Sequence, residues 1–391
     1  MAITLGSADI IKGKDAFALF LSCRRENDMF QSKNANFVPP VIVICVLLCL
    51  IVGCHSRLGK GNSPVDLYID AVMLQEAGYP NEAIDKLDTA VKKEEDFSQA
   101  YSLKGDIYEQ TQQYEKSAEA YQKATELNAW SFRDFFNLGK VYEAMKKFAE
   151  AVRAYARACE LQPEHLQVHI NTARCYNQLQ QYDQALLYAQ HAEQIDPNVT
   201  ELQQILGDAY EGKEDYEQAI SSYKRALELD ANNAEVMTAL AVAYLRTSRD
   251  QPAEQLLASA VELDPENGRA YRYLGYCYLR FCEKTTSQYR ELVQKGTSDQ
   301  LLLEGMTQQA DEMVAKAIDC YSRAVEIDQN DWDAHRGLGV AYIIDAKNPD
   351  GTIDDLLKDK AIDHWRTSLQ INPDQPRADR LRNLIAKYRA Q

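Results

Sequence analysis

A period of 34 residues is the feature that most constrains how this chain can fold. Counting in steps of 34 from Gly139 meets a glycine or an alanine at every stop. The stops are Ala71, Gly105, Gly139, Ala173, Gly207, Ala241 and Gly275. Other columns keep the same step: tyrosine follows the small residue by three positions in all copies but the first, and a small residue, nearly always alanine, follows by 12 and by 19. Such a fixed period is typical of stacked structural repeats.

The spacing inside one period predicts a pair of helices. Small and bulky residues three or four apart, such as Gly139 and Tyr142 or Ala151 and Tyr155, lie on one face of a helix and let a second helix approach closely. Four prolines fall at repeat ends, where proline stops one helix or begins the next: Pro163, Pro197, Pro265 and Pro373. Each period therefore predicts a helical hairpin.

The combined pattern of Leu-Gly, Tyr, Ala, aromatic, Ala and Pro, as in Leu138 to Pro163, resembles the tetratricopeptide repeat (TPR) family. The resemblance covers about four fifths of the chain and rests on many columns in register. It implies an all-α fold, a right-handed α-solenoid of about eight helical hairpins over residues 64–375 with a capping helix over 376–391. It also implies that the first helix of each hairpin lines a concave groove that binds partner proteins or peptides.

Two repeats are longer than the period. Repeat seven reaches its Ala317 thirty residues late, and apolar residues recur at helical intervals within the insertion, about 281–312. We expect two lengthened antiparallel helices, a spur that is a candidate partner contact. Repeat eight has a shorter insertion, about 346–356, and its sequence AKNPDGT indicates a loop.

The N-terminal region contains an unbroken apolar run from Val41 to Gly53. Thirteen residues are too few for a membrane span of about 20 but suit a signal peptide. Ile51 to Cys54 resembles a bacterial lipobox, which implies that Cys54 carries a lipid and begins the mature protein. Residues 29–53 would then be a signal peptide, and residues 54–63 a flexible linker.

Two other interpretations of this region stay open: an uncleaved single-pass anchor and a buried hydrophobic segment. Forty residues precede the apolar run, far more than a usual leader, whereas a start at Met29 leaves only twelve. We therefore regard residues 1–28 as a doubtful extension. Either membrane interpretation predicts a protein held on the extracytoplasmic side of a bacterial envelope.

Composition narrows the class of partner. The 391 residues carry 43 basic and 59 acidic side chains, a net charge of −16. This balance argues against nucleic-acid binding, which depends on neutralising phosphates. The nine cysteines show no paired or metal-type spacing, and four fall beside core columns: Cys159, Cys175, Cys277 and Cys320. We expect these four to be buried apolar side chains, with a disulfide between neighbouring helices as the alternative.

Nothing in the sequence indicates catalysis. It contains neither a nucleophile elbow nor a glycine-rich phosphate loop. His165 and His169 are four apart and could share a metal, but no third ligand is evident, so packing or capping is the preferred interpretation. We predict a protein that is not an enzyme and needs no metal or cofactor.

The resemblance allows the groove positions to be assigned. Arginines three or four apart on the first helix of repeat seven, and residues at matching positions of flanking repeats, would form an electropositive site for a carboxylate or an acidic peptide. These residues are Arg269, Arg272, Tyr276, Arg280, Arg246 and Arg336, and a second, weaker cluster is Arg133, Phe136, Lys140 and Arg174. The alternative is that they only pair with acids such as Asp333, Glu235 or Glu143. The Lys and Asn pattern of the family's carboxylate clamp is not reproduced.

The sequence thus favours a non-catalytic scaffold, tethered to the bacterial envelope, that binds proteins or acidic peptides in its groove and assists assembly of an envelope complex. The alternative is a glycan-binding or peptidoglycan-binding accessory module of an enzyme complex, whose tyrosines would hold the sugar. Because most tyrosines fall in core columns, packing is their expected use.

Overall fold

The computed structural model describes residues 63–296, 299–347 and 352–390. The predictions for residues 1–28, for the signal peptide 29–53, for Cys54 and for nearly all of the linker 54–63 therefore lie outside the described residues. The chain divides into two compact units, residues 1–66 and 67–391. Of the first unit, only residues 63–66 are described, at the start of the first helix.

Within the described residues the secondary structure is helical, with one isolated β-bridge between Lys347 and Ile353. The helices are α1 Pro64–Glu76, α2 Pro80–Lys93, α3 Ser98–Gln110, α4 Tyr114–Leu127, α5 Phe132–Ala144, α6 Phe148–Leu161, α7 Leu166–Gln178, α8 Tyr182–Ile195, α9 Thr200–Gly212, α10 Tyr216–Leu229, α11 Ala234–Arg246, α12 Asp250–Leu263, α13 Gly268–Gln294, α14 Gln300–Ile327, α15 Trp332–Asp345, α16 Asp355–Ile371 and α17 Ala378–Arg389.

These helices form eight consecutive hairpins, α1–α2 to α15–α16, followed by α17. The two helices of each hairpin pack together in repeats two to eight, and in repeat one Ala71 of α1 shares a buried cluster with Ala83 and Leu87 of α2. The second helix of each hairpin packs against the first helix of the next. The prediction of an all-α solenoid is confirmed. Because each repeat touches little beyond its neighbours, the structure has a continuous core that runs along the array.

The alanine columns form the inside of every hairpin. The two columns of the second helices are fully buried in all eight repeats, at 0% exposure. Where serine replaces alanine, its hydroxyl donates to a backbone carbonyl: Ser117 to Gly105 (2.9 Å) and Ser368 to Trp332 (2.7 Å). The small side chain sets the helix spacing, and the hydroxyl is tolerated because it is hydrogen-bonded.

The column that contains Gly139 packs against a large side chain of the second helix. A methyl group on Gly139 would lie 2.5 Å from ring carbons of Tyr155, too close for any real contact. The same pairing occurs at Gly105 with Tyr121, Gly207 with Tyr223, Gly275 with Tyr321 and Gly339 with Trp365. The three repeats with alanine in this column carry a smaller partner, at Leu87, Ala189 and Leu257, and all three are fully buried. Glycine therefore occurs where an aromatic ring fills the hairpin.

The turn within each hairpin of repeats one to six uses a left-handed residue. Five such residues recur at the 34-residue step, with φ between 58° and 62°: Gln112, Lys146, Gln180, Glu214 and Ser248. Repeat one has Gly78 at the same position, with φ of 83°. The left-handed conformation ends the first helix and reverses the chain.

The extra residues of repeat seven extend both of its helices. Helices α13 and α14 have 27 and 28 residues, against 13 and 14 in repeat six. At the C-terminal end, α17 buries Leu381, Ile385 and Tyr388, and the Tyr388 ring lies 6.1 Å from that of Trp365. Its basic residues Arg380, Arg382 and Lys387 stay exposed, so the last helix presents a polar outer face.

A search of the described helices for a membrane span, long and apolar over 18 residues, finds none.

Candidate functional site: the groove of the first helices

Ion pairs join the first helices α3, α5, α7 and α9, and direct contacts between successive first helices continue from α7 to α15. These helices therefore line one continuous surface. We call this surface, formed by the first helices from α3 to α15, the groove. In its first part every predicted cation has an acidic partner on a neighbouring repeat. The pairs are Arg133 with Asp106, Lys140 with Glu109 (2.9 Å), and Arg174 with both Glu143 (2.5 Å) and Glu201. Pairing with Glu143 is the alternative to ligand binding that the sequence predicts, and Arg174 does form this ion pair.

Buried tyrosines reach the groove from the second helices. Each ring is fully buried against its glycine, while its hydroxyl donates to a groove carboxylate. The bonds run from Tyr121 to Asp106 (2.6 Å), from Tyr155 to Glu143 (2.8 Å), and from Tyr223 to Asp208 (2.7 Å) and Glu211 (3.0 Å). Burial and the adjacent carboxylates raise the pKa of each of these tyrosines well above its usual value, so the hydroxyls remain donors.

A depression of about 510 Å³ opens in this first part of the groove. It is lined by the ring of Phe136, by Lys140 and Arg174, and by Gln167 and Asn171. Three of the four residues of the second predicted cluster therefore meet at one cavity, and Arg133 does not line it. Because both cations are already paired with acids, the cavity offers an apolar floor and a neutralised polar rim.

The next part of the groove is acidic. At the repeat positions of the cations Lys140, Arg174 and Arg133, repeats five and six carry the acids Asp208 and Glu235, and Glu211 repeats the position of Glu143. Although part of its side chain reaches solvent, the surrounding protein desolvates Asp208 and raises its pKa to about 6. Glu211 and Glu235 act in the same direction, while the Tyr223 hydrogen bond and the charge of Arg269 oppose it. The three carboxylates repel one another, and two of them, Asp208 and Glu211, share the Tyr223 hydroxyl.

Three of the predicted arginines of the repeat-seven cluster are held by acids. Arg272 donates to both carboxylate oxygens of Asp331 at 2.9 Å, and its Nε lies 4.0 Å from Asp333. The other two pairs are Arg336 with Asp333 and Arg280 with Asp250 (3.1 Å). Their charges are largely satisfied inside the protein.

Arg246 and Arg269 differ from the other groove cations. Within residues 63–296, 299–347 and 352–390 neither forms an ion pair, and both are exposed. The Arg269 guanidinium lies 5.9 Å from the ring centre of Tyr273, and the neighbouring Tyr276 is 44% exposed. Two unpaired guanidinium groups and an exposed aromatic ring thus lie in the repeat-six and repeat-seven part of the groove.

Sequence reasoning named the cations of the groove and missed most of its acids. Asp106 and Asp208 share one repeat position, and Glu109 and Glu211 share another, so these shared positions were available as a signal. Asp331 was harder to find, because it lies 59 residues from Arg272 across the inserted helices.

His169 and the described cysteines belong to the core. His169 is 5% exposed, its Nε2 lies 2.7 Å from the carbonyl oxygen of Pro163, and its Nδ1 lies 3.8 Å from the Cys159 sulfur. His165 instead packs against Phe132, with ring centres 4.7 Å apart. A search of the described residues for a group of three or more metal-ligating side chains finds none. The described cysteines are buried free thiols, and burial raises the pKa of Cys175 to about 12, so they are weak nucleophiles.

Comparison with known proteins identifies the repeat. Family models described as tetratricopeptide repeat match residues 136–199 and 212–275, and one described as TPR repeat matches residues 105–146. Curated proteins give no match. The solved structure of YrrB, described as a TPR protein with an unusual peptide-binding site, is 21% identical, covers 47% of this chain and 95% of that one, and has a TM-score of 0.42.

Two longer alignments come from other solved structures. A tetratricopeptide repeat protein from Parabacteroides merdae is 14% identical over 72% of this chain and 99% of that one, with a TM-score of 0.49. The APC/C hetero-tetramer Cut9-Hcn1 is 17% identical over 85% of this chain and 57% of that one, with a TM-score of 0.52, a similarity of fold. Given the three family matches and the eight stacked hairpins, this chain is a tetratricopeptide repeat protein.

Proposed function

We propose that this protein is a non-catalytic scaffold that binds partner proteins or acidic peptides in its groove and is tethered to a bacterial envelope, where it assists assembly of a complex. The observation that carries the proposal is that some groove cations are paired with acids and others are not. Six of them are neutralised by acids of the same chain, whereas Arg246 and Arg269 are exposed and unpaired among the described residues.

The unpaired arginines suit a carboxylate-bearing segment. A guanidinium group binds a carboxylate through two parallel hydrogen bonds, and the exposed Tyr276 ring offers an apolar contact beside it. The acids Asp208, Glu211 and Glu235 lie on the side of repeats five and six and would repel the same segment there, which fixes its direction along the groove. The depression at Phe136 can take an apolar side chain farther along.

The experiment is a double charge reversal, Arg246→Glu with Arg269→Glu, in the full chain. Loss of two charge-assisted contacts is expected to weaken partner binding at least about tenfold. The readout is quantitative mass spectrometry of proteins captured from detergent-solubilised envelopes, followed by titration of the captured partner. Arg225→Glu is the matched control, because Arg225 is an exposed arginine of a second helix that pairs with Glu228 of its own helix. Unchanged capture by the double variant would remove the groove from the proposal.

Tethering rests on the sequence alone. A mature protein that begins at Cys54 and carries the mass of a lipid modification would support it, and Cys54→Ala should release the protein from membranes. A product that retains residues 29–53 would favour the single-pass anchor instead.

The buried tyrosines bear on the glycan-binding alternative. Tyr121, Tyr155 and Tyr223 are 0% exposed, so their rings cannot stack on a sugar. That alternative loses these three tyrosines, whereas Tyr276 stays exposed.

A further inference from the structure

A second candidate surface lies outside the groove, on the face of repeat one that points away from repeat two. Helices α1 and α2 enclose a cleft of about 860 Å³ there. Its apolar lining includes Leu67, Met73, Leu74 and Tyr79. The cleft runs between the two helices of the hairpin.

In every later repeat, the second helix of the repeat before it packs against this side of the first helix. In repeat two, Lys104 is bonded there to Asp88 of α2 (2.6 Å). The same contact is made in repeat three by Gln122 of α4 with the Tyr142 hydroxyl (2.5 Å), and in repeat four by the Cys159 sulfur of α6 with His169 (3.8 Å). This face of a repeat is therefore one against which a helix packs, with at least one polar contact in the three repeats named.

In repeat one, residues of this face are exposed, whereas the equivalents of Met73 in later repeats are buried. Met73 is 56% exposed, whereas the residues at its position in all later repeats are 0–1% exposed. Those residues are Ile107, Val141, Cys175, Ala209, Ala243, Cys277 and Ala341. Ile69, one turn before Met73, is 47% exposed. Among residues 63–296, 299–347 and 352–390, no helix occupies this face.

The charges around the cleft restrict its occupant. Three carboxylates line it, at Asp70, Glu82 and Asp85, and the single lysine, Lys86, is already bonded to Asp70 at 3.0 Å. Two copies of this face would bring like charges together, which opposes self-association. A helix flanked by lysine or arginine would complement it.

We propose that this cleft is a docking site for an amphipathic helix of a partner protein, with an apolar stripe that covers Ile69 and Met73 and basic residues that meet Glu82 and Asp85. The helix extends the stack by one element, in the place that a preceding repeat takes elsewhere. This interaction is independent of the groove.

The test uses two synthetic helical peptides with the same leucine and alanine stripe, one flanked by lysines and the other by glutamates. Fluorescence anisotropy measures their binding to the full-length chain at low salt. We expect the lysine-flanked peptide to bind, and Met73→Asp to weaken it at least tenfold. Leu301→Asp is the matched control, since Leu301 is 84% exposed on another surface and should change nothing. Glu82→Lys with Asp85→Lys should reverse the preference to the glutamate-flanked peptide.

Several outcomes overturn the proposal. Equal binding of both peptides, no binding of either, or no effect of Met73→Asp would each do so. Sedimentation that reveals a dimer lost in Met73→Asp would make a second copy the occupant. Binding that appears only when residues 1–62 are removed would make a segment of the same chain the occupant. Because none of these measurements involves Arg246 or Arg269, failure here leaves the groove proposal untouched.

Discussion

Repeats three and six share one backbone design but differ in what they present to the groove. In repeat three, Gly139 leaves room for the ring of Tyr155, whose hydroxyl donates to Glu143 at 2.8 Å. In repeat six the same two positions hold Ala241 and Leu257, both fully buried. Its groove positions carry Val242 and Leu245, at 2% and 6% exposure, in place of charged residues.

We call the residue of the Gly139 column and the side chain that faces it from the second helix the core pair. Comparing repeats three and six shows that this pair influences which side chains the groove presents. A tyrosine is long enough to cross the hairpin only if the facing residue lacks a methyl group, and its hydroxyl then holds an acid in the groove. Repeats two and five follow repeat three in this respect. Repeat seven departs from it, because Tyr321 lies between Gly275 and Gly337 and the adjacent groove position is Tyr276.

The largest expected effect comes from exchanging the core pair. Gly139→Ala places a methyl group 2.5 Å from the Tyr155 ring and should destabilise the protein by about 3 kcal/mol. The free energy of unfolding, from urea titration followed by circular dichroism, checks this. Adding Tyr155→Leu recreates the pair of repeat six, so the two substitutions should couple favourably by at least about 1 kcal/mol.

Repeat six supplies the control for this exchange. Ala241→Gly adds no clash and should cost only about 1 kcal/mol, through helix propensity. If Gly139→Ala proves no worse than Ala241→Gly, the close approach of glycine and tyrosine is not what distinguishes the two repeats.

A smaller effect should follow from removing one hydroxyl while keeping its ring. Tyr223→Phe leaves the packing against Gly207 intact but deprives Asp208 and Glu211 of their donor, which should cost about 1.5 kcal/mol. The pKa of Asp208, already raised to about 6 chiefly by desolvation, should rise further, since the hydrogen bond from Tyr223 lowers it.

The raised pKa of Asp208 makes the stability of the protein depend on pH. An acid whose pKa is raised in the folded state favours folding most when it is protonated, so its contribution falls as pH rises from about 4 to 6. In Tyr223→Phe the stabilising contribution of protonated Asp208 should persist to higher pH before it is lost. Carbon-13 NMR titration of the Asp208 carboxyl group measures the pKa, and an unchanged or lower value would contradict the assigned role of the hydroxyl.

The comparison extends to repeats five and eight, which differ at another core position. His335 and His364 face each other with their Nδ1 atoms 2.9 Å apart, whereas Gln203 occupies the His335 position in repeat five. Burial and the proximity of His335 lower the pKa of His364 to about 4, with Lys360 acting in the same direction and Asp363 opposing it. Neutral His364 favours the folded state above about pH 6.5, and this contribution is lost as pH falls towards 4.

His335→Gln should reduce that acid sensitivity. Gln203 donates to the Pro197 carbonyl at 3.2 Å, and a glutamine at position 335 can donate to the Gln329 carbonyl in the same way. Between pH 7 and pH 4 the variant should lose about 1 kcal/mol less stability than the parent. Thermal unfolding across this pH range tests it, and equal loss in both proteins would show that the histidine pair is not the sensitive element.

The smallest effect should be the same in repeats three and six, because their turns are alike. Lys146 and Ser248 both adopt φ near 59°, where Gly78 stands in repeat one. Lys146→Gly and Ser248→Gly should each stabilise by about 0.5 kcal/mol, since glycine adopts this conformation without steric cost. Unequal effects in the two repeats, measured by thermal unfolding, would mean that they differ in more than their core pair.

Much of the fold was predictable because one period repeats along the chain. Gly139, Tyr142 and Ala151 recur in register, and this register alone predicts hairpins that stack. The pairing of Gly139 with Tyr155 was not predicted, although both residues had been singled out, because a close approach between two helices depends on their distance and not on spacing within either. The repeat-one cleft was likewise unforeseen: the sequence marks repeat one as atypical but does not give the exposure of Met73.

The site was predictable only in part. Periodicity placed Arg174 and Lys140 on one surface, and the structure brings both to the depression at Phe136. It could not say that Arg272 is held by Asp331 while Arg269 is unpaired, since those outcomes depend on which acids of neighbouring repeats lie within a few ångströms.

The spur changes how the array can grow. Gly275 still meets the ring of Tyr321, as Gly139 meets that of Tyr155, although the chain between them is thirty residues longer. Both helices of the hairpin are 14 residues longer than those of repeat six, and the hairpin still packs against repeats six and eight. Length can thus be gained or lost in this arm while the contacts with both neighbouring repeats are kept, which leaves a lineage free to vary it.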